Sequence, residues 1–580
     1  MRPAYTNPPS GYRLGYSLLD KEYGLINNNN KEKIKSSDCK ALMLDGCGNV
    51  NRENVVNFIV TTPEPVFYTY VLPDDSRDTC EFLSGEVRKI LLAENPKTFF
   101  LIMTDNAAVM RAMWEIIEQE FPHISGAGCA SHCFNLLFQD LVSMPSLDRI
   151  MTVAKRIIKA IRNSYVNLNT FRKKQKEKYV NNCIQLKLPP KTRWGYSVIM
   201  LNSLMRNKAA VQETVVNDDL VFDENVRAWA LDNTKFWERV KLALEMLKPL
   251  HAAITIVESN RALLSDVLFL HKKYSASIIA NLRVLRFKRN QRAQVKRILS
   301  EREEFTVKVM HKTAFLLDPR YRDLESMLSA FDIVDCLDYI SKLCVNLELN
   351  EGQVIASLGE YRTRTGFFAR PAVWAAAQRT EPRVWWRGVC SGEAIAPIAW
   401  RLLSLPPTSA ECERDWSVRN HIHNKSRNRL KNERVQKLVT CKKGLTKTPK
   451  RASPFFSVEE MNSYIDSYLD PAPRAGSDDE SEDDEGSEED EDFSDDEDGG
   501  GLDSDWSERD GQSGSEEEEH EEEERAAAEA EVEQQRQPTP TLRQTRAAAN
   551  TRTRANQNQE EQHQQDPDAG IRRRSTRSRK

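Results

Sequence analysis

The spacing of hydrophobic positions changes period several times along this chain. ALMLDG (41–46), NVVNFIVTT (54–62) and EPVFYTYVLP (64–73) are short β-rich runs with polar joints, and they predict three successive strands. DTCEFLSGEVRKILLAEN (78–95) shifts to helical spacing, with Phe82, Val87, Ile90 and Leu91 on one side. The apolar run Phe99 to Met103 predicts a buried strand. After it, Val109, Met110, Met113, Trp114 and Ile117 recur at three- and four-residue intervals, one face of a helix. A short GAGCA run (126–130) and the apolar helix HCFNLLFQDLV (132–142) follow. The predicted order is β-β-β-α-β-α-β-α.

That order excludes an ordinary dinucleotide-binding unit, which alternates strand and helix from the start. It predicts an α/β fold with a mixed sheet of the ribonuclease H type. Strands one and four are neighbours in such a sheet, so Asp45 and Asp105, each closing its run, would be neighbours too. Asp105 is equally suited to cap the helix that follows, since a side-chain oxygen there accepts a bond from a free N–H of the first turn. From about 145 to 395 the chain reads as helix, as in SLDRIMTVAKRIIKAIRNS (146–164) and DNTKFWERVKLALEMLKPLHAAITIVES (232–259). These segments are too long and too amphipathic to be loops.

The expected organisation is therefore a polar arm at 1–40, the first part of the core at 41–144, and an α-helical insertion at 145–395. The core closes at 396–445, and a disordered tail occupies 446–580, in which FSVEEMNSYIDSYL (456–469) has the pattern of one last short helix.

Charge sharpens this division. Between Ser477 and Glu524 there are 28 acidic residues and one basic residue, Arg509; such a run cannot bury a core. Residues 525–580 carry 12 basic and 7 acidic groups and end in the cluster IRRRSTRSRK, suited to nuclear import or DNA contact. Residues 1–476 hold 70 basic against 52 acidic groups, a body attracted to polyanions, and nucleic acid is the expected partner. No apolar run approaches the ~20 residues that span a membrane, and MRPAYTNPPSGYRLGY lacks the apolar core of a secretory signal. The 11 cysteines are scattered, with only Cys129 and Cys133 close together, which favours reduced thiols in a cytosolic or nuclear setting.

A third carboxylate comes from PPTSAECERDWS (406–417), where Thr408 or Ser409 can cap a helix that places Glu413 and Trp416 on one face. Alone, Glu413 would be a solvated surface acid paired with Arg414 or another arginine. It does not stand alone. DG at 45–46, TDNAAVM at 104–110, GCASHCFNLL at 128–137, KTRWGYS at 191–197, LLDPRY at 316–321 and LLSLPPTSAECERDWS at 402–417 occur in one order. That order resembles the hAT family of DNA transposases, and the block continuing through IHNKSRNRLKNERVQKLV resembles the family's C-terminal dimerisation region, which reaches back to near 370.

The resemblance implies a ribonuclease H-like catalytic core interrupted by a large α-helical insertion. It implies a catalytic, metal-holding triad of Asp45, Asp105 and Glu413, using two Mg²⁺ or Mn²⁺ ions, hard cations suited to carboxylate oxygens. The reaction it implies is DNA cleavage and strand transfer, passing through a hairpin on flanking DNA. The family's Cys-x-x-His falls on Cys129 and His132, expected beside the site in packing or DNA contact. Zinc is not expected there, because a fourth ligand at finger spacing is missing. Trp194, with Arg193 before it, matches the tryptophan that stacks on a displaced base, although a packed core position suits it equally. Two departures stand out: no finger-like Cys-x-x-Cys precedes Ala41, where the family usually carries a BED-type zinc finger, and Cys47 replaces the usual tryptophan of the first motif. The alternative to an active enzyme is a non-catalytic nuclear DNA- or chromatin-binding dimer. The expected partners are DNA, a second or further copy through the C-terminal region, and histones or other basic proteins through the acidic tail, with no membrane.

Overall fold

The computed structural model describes residues 9–62, 64–73, 79–179, 183–189, 195–284, 287–446 and 455–467. Arg193, Trp194, the acidic run and the basic terminal cluster lie outside these residues.

The first element corrects an expectation. Residues 1–40 were expected to be a polar arm, yet from Gly11 the chain is helical, through a π-helical segment (Leu14–Leu18) into α1 (Leu19–Ser36). The run of asparagines at 27–30 hides an apolar seam: Leu19 and Ile34 are buried. Tertiary packing supplies what intrinsic propensity lacks.

The sheet follows in the order read from the sequence. Strands β1 (Lys40–Gly48), β2 (Asn54–Thr61) and β3 (Pro65–Val71) pair antiparallel, and β4 (Phe99–Thr104) and β5 (Ser125–Gly128) run parallel to β1. The spatial order is β3-β2-β1-β4-β5, so β1 and β4 are adjacent. Every residue of β4 is buried, because elements cover both faces. On one face Leu42, Leu44, Phe58 and Ile102 pack against Leu83, Val87 and Leu91 of α2 (Cys80–Ala93) and Met113, Trp114 and Ile117 of α3 (Ala108–Glu120). Gly126 in β5 is required by that packing, since a Cβ there would meet the Trp114 side chain at 2.3 Å.

After α4 (Ala130–Val142), residues up to 395 form helices, with no strand among those described. Among them are α5 (Pro145–Arg162), α6 (Phe236–Glu258) and α7 (Asp266–Val284). No described helix is long and apolar enough to cross a membrane. Within this body the LLDPRY motif forms a buried ion cluster. Arg320 lies 2.7 Å from both Asp266 and Asp318, with Tyr321 Oη donating to Asp266 at 2.6 Å and Ser265 Oγ to Asp318 at 2.7 Å.

The chain then returns to the sheet. On the second face of β2 and β3, Val55, Phe67 and Tyr70 pack against Trp416 of α8 (Ala410–Ile422) and Val435 and Val439 of α9 (Asn432–Leu445). The tail, expected to be disordered from 446, holds one docked element, α10 (Val458–Ser467). Arg320 donates to the Phe456 carbonyl at 2.6 Å, Arg261 pairs with Glu460 at 2.7 Å, and Met461 is buried. Apolar positions spaced for a helix, met by two arginines, hold this segment in place.

Candidate active site

The candidate site lies on β1, just past β4, and on α8, which packs on β1 and β2. Asp45 sits in the second half of β1, opposite Asn57 of β2. The Asn57 side chain is fully buried and reads both partners: its Oδ1 accepts from the Asp45 N–H at 3.1 Å, and its Nδ2 donates to the Cys412 carbonyl at 3.3 Å. A buried amide must find such partners. Here it ties the first turn of α8 to the strand that carries Asp45.

Other links fix the same helix. The Ala130 N–H donates to the Pro407 carbonyl at 3.1 Å, and the Ser409 N–H points at the Cys129 sulfur at 3.3 Å. The Trp416 indole N–H donates to Asp45 Oδ2 at 2.8 Å. Glu413 Oε1 lies 3.3 Å from His132 Nε2 of α4. Ser409 stands at the N-cap of α8, but its side chain makes no capping bond, contrary to the expectation from the sequence. Nor does Glu413 pair with Arg414, which turns to Glu411 at 3.0 Å.

Asp105 ends β4 beside β1. The sequence suggested a helix starting at once with Asp105 as cap. The structure places Ala107 at the N-cap, and Asp105 two residues earlier accepts from the Ala107 N–H at 3.0 Å through Oδ1. This is a local turn bond, and among the described residues it leaves Oδ2 without a partner. Asn106 lies against Gly128, where a Cβ would meet its amide at 2.0 Å, and donates to the Cys133 sulfur at 2.8 Å.

These groups act on one another electrostatically. Burial pushes the half-buried Asp45 carboxyl above its ordinary range; Asp105 and Glu413 raise it further, while the Trp416 indole and His132 oppose the rise. His132 is pushed up to about 10, first by the Cys129 sulfur and then by the Glu413 and Asp45 carboxylates, against burial that would lower it. Its Nδ1 makes no hydrogen bond of regular geometry. Burial drives the Cys129 thiol up, but His132, Ser131 and Ser409 pull it below its ordinary value. Cys129 has no exposed surface and so cannot touch DNA directly; it holds the imidazole from beneath. Among the described residues no group of three or more His, Cys, Asp or Glu side chains is gathered closely enough to hold a metal ion.

Two contributors were legible only in part. Trp416 was placed on the Glu413 face without a role, and Asn57 was passed over. The signal for Asn57 was present: one amide in the middle of an otherwise apolar strand.

Two known families match parts of the chain. Residues 367–445 match the hAT family C-terminal dimerisation region, and residues 9–157 match a domain of unknown function, DUF659. No curated protein matches the chain. The two matches support a protein derived from an hAT-family transposase. The dimerisation region supports homodimerisation.

Proposed function

We propose that the pocket of Asp45, Asp105 and Glu413 is the metal-dependent phosphodiester site of a ribonuclease H-like core, inherited for DNA cleavage and strand transfer. The observation that carries this reading is the docking of α8. Asn57, Trp416 and His132 bind it to β1, β2 and α4, which supports placing Glu413 on the side of the sheet that carries Asp45.

The donor set suits the implied ions, being three carboxylates with oxygen ligands only. Bound Mg²⁺ or Mn²⁺ would supply Lewis acidity for displacement at phosphorus. The chain's own residues do the rest. Trp416 holds Asp45 Oδ2 and leaves Oδ1 to face the site, as outer hydrogen bonds orient metal-ligating carboxylates. His132, kept protonated by its neighbours, offsets the repulsion among the acids and draws Glu413 inward. Asp105 keeps one oxygen on its turn and presents the other.

A second reading is supported by a specific observation. The acids are not drawn to metal-holding geometry, and His132 and Trp416 already engage two of them. In this reading the chain is a non-catalytic DNA- or chromatin-binding dimer. Nuclear residence, DNA as partner and histones as partners of the acidic run belong to both readings and rest on charge.

Mn²⁺ binding by the full chain separates the two. Wild type is compared with Asp45→Asn, Asp105→Asn and Glu413→Gln, with and without DNA. Binding that each substitution weakens supports the nuclease site. A folded wild type that binds no Mn²⁺ in either condition leaves the non-catalytic dimer.

A further inference from the structure

The dimerisation region exposes little apolar surface of its own. Within 367–445 the exposed large hydrophobic residues are Val384, Val389 and Leu445. Its last helix, α9, already uses one face on the sheet, where Val435 and Val439 meet Val55, Phe67, Tyr70 and Trp416.

Its outward flank is covered in cis by the N-terminal helix. Lys437 pairs with Asp20 at 2.9 Å and lies 5.9 Å from the Tyr23 ring centre. Arg434 stacks 3.7 Å from the centre of the Tyr16 ring, and Tyr12 stacks on Tyr16 at 4.5 Å. A Cβ on Gly444 would meet Ile26 at 2.6 Å. The pairs Tyr16–Arg434, Asp20–Lys437 and Ile26–Gly444 advance together, so the two helices run parallel. The helical arm then presents the apolar surface that α9 lacks. Tyr12 is 75% exposed, Leu14 54%, Leu25 60% and, at the end of α9, Leu445 64%. Leu14 and Leu25 are both exposed along the arm. Tyrosine and arginine are also the residue types that anchor interfaces.

We propose that the N-terminal helical arm, residues 11–36, is part of the homodimer interface: a second copy of this chain docks on the joint surface of the arm and α9. The surface continues the dimerisation region, and a partner approaching α9 from outside meets the arm first. The proposal rests on homodimerisation alone and is independent of the acid pocket.

Sedimentation equilibrium of the full chain tests it, with Leu14→Glu combined with Leu25→Glu as the main variant. Leu445→Glu probes the same surface from the other helix, so a folding defect in the arm cannot decide the outcome. Val221→Glu, an exposed apolar position elsewhere, is the control. Circular dichroism and Tm establish that each variant is folded. The expected result is a dimer dissociation constant raised about tenfold or more by the double variant and by Leu445→Glu, a readily measured change, with no change for Val221→Glu. A wild-type dimer whose affinity is unchanged in folded variants overturns the proposal and leaves homodimerisation intact. Tighter dimerisation overturns it too and makes the arm a cis cap. A wild type that stays monomeric at micromolar concentration overturns both.

Discussion

Two groups of buried or half-buried aspartates in this molecule have opposite surroundings. In the helical body, Asp266 and Asp318 share the Arg320 guanidinium and also receive Tyr321, Ser265 and backbone donors. At the sheet, Asp45 in β1 feels the charges of Asp105 and Glu413, with the Trp416 indole on Asp45 and the His132 imidazole beside Glu413. The first group shares one cation and fills its oxygens with donors. The second has fewer donors for its acids, the pattern expected under the proposed function.

The contrast can be broken at its strongest point first. Arg320→Ala removes the shared cation and strands two buried carboxylates, so urea unfolding is expected to show a loss of about 3–5 kcal/mol. The loss should release α10 as well, because the same guanidinium holds the Phe456 carbonyl; faster proteolysis between 446 and 467 would report it. A loss near zero would mean that the cluster is not a structural keystone.

Trp416→Phe keeps most of the packing against Tyr70 and Val439 but deletes the bond to Asp45. We expect a loss of about 1.5 kcal/mol, the scale for a hydrogen bond to a charged group, together with weakened Mn²⁺ binding if the indole orients Asp45. Loss of stability with unchanged Mn²⁺ affinity would assign Trp416 to packing alone.

The pH dependence of His132 probes the same pocket. Its value rises from 6.5 to about 10 in the folded protein. A group raised on folding stabilises fully below its unfolded value, and that contribution is lost as pH rises through the folded one. The gap in Tm between wild type and His132→Gln should therefore be widest at or below pH 6.5 and shrink as pH approaches about 10. A gap that widened with pH would contradict a protonated His132.

The smallest stability effect belongs to Asp45→Asn. Removing one of several crowded acids should leave Tm unchanged or slightly higher, while Mn²⁺ binding falls. A large drop in Tm would place Asp45 with the structural aspartates and erase the comparison.

Much of the layout was legible because local patterns carry it. Alternating β-rich runs, one fully apolar strand and the three-to-four spacing of Met110, Met113, Trp114 and Ile117 fix element type from neighbours in sequence. The three acids stood in ordered motifs. Other features were not legible, and each depends on a distant partner. The arm looked like a linker because its apolar residues are few and their partner, α9, lies some 400 positions away. Asp105 looked like a cap because residue type alone cannot say whether a helix starts one residue later or three.

The sequence by itself determined the order of strands and helices and the separation of a basic body from an acidic run; it placed Asp45 at the end of its strand, which in the structure runs on to Gly48. Periodicity and composition are local quantities, and they sufficed. The tertiary structure decided which carboxylates share a guanidinium, that Asn57 and Trp416 secure α8 over β1, and that the first helix lies on the last helix of the dimerisation region. Those outcomes depend on which groups meet across hundreds of residues, where desolvation and charge act through space and not along the chain.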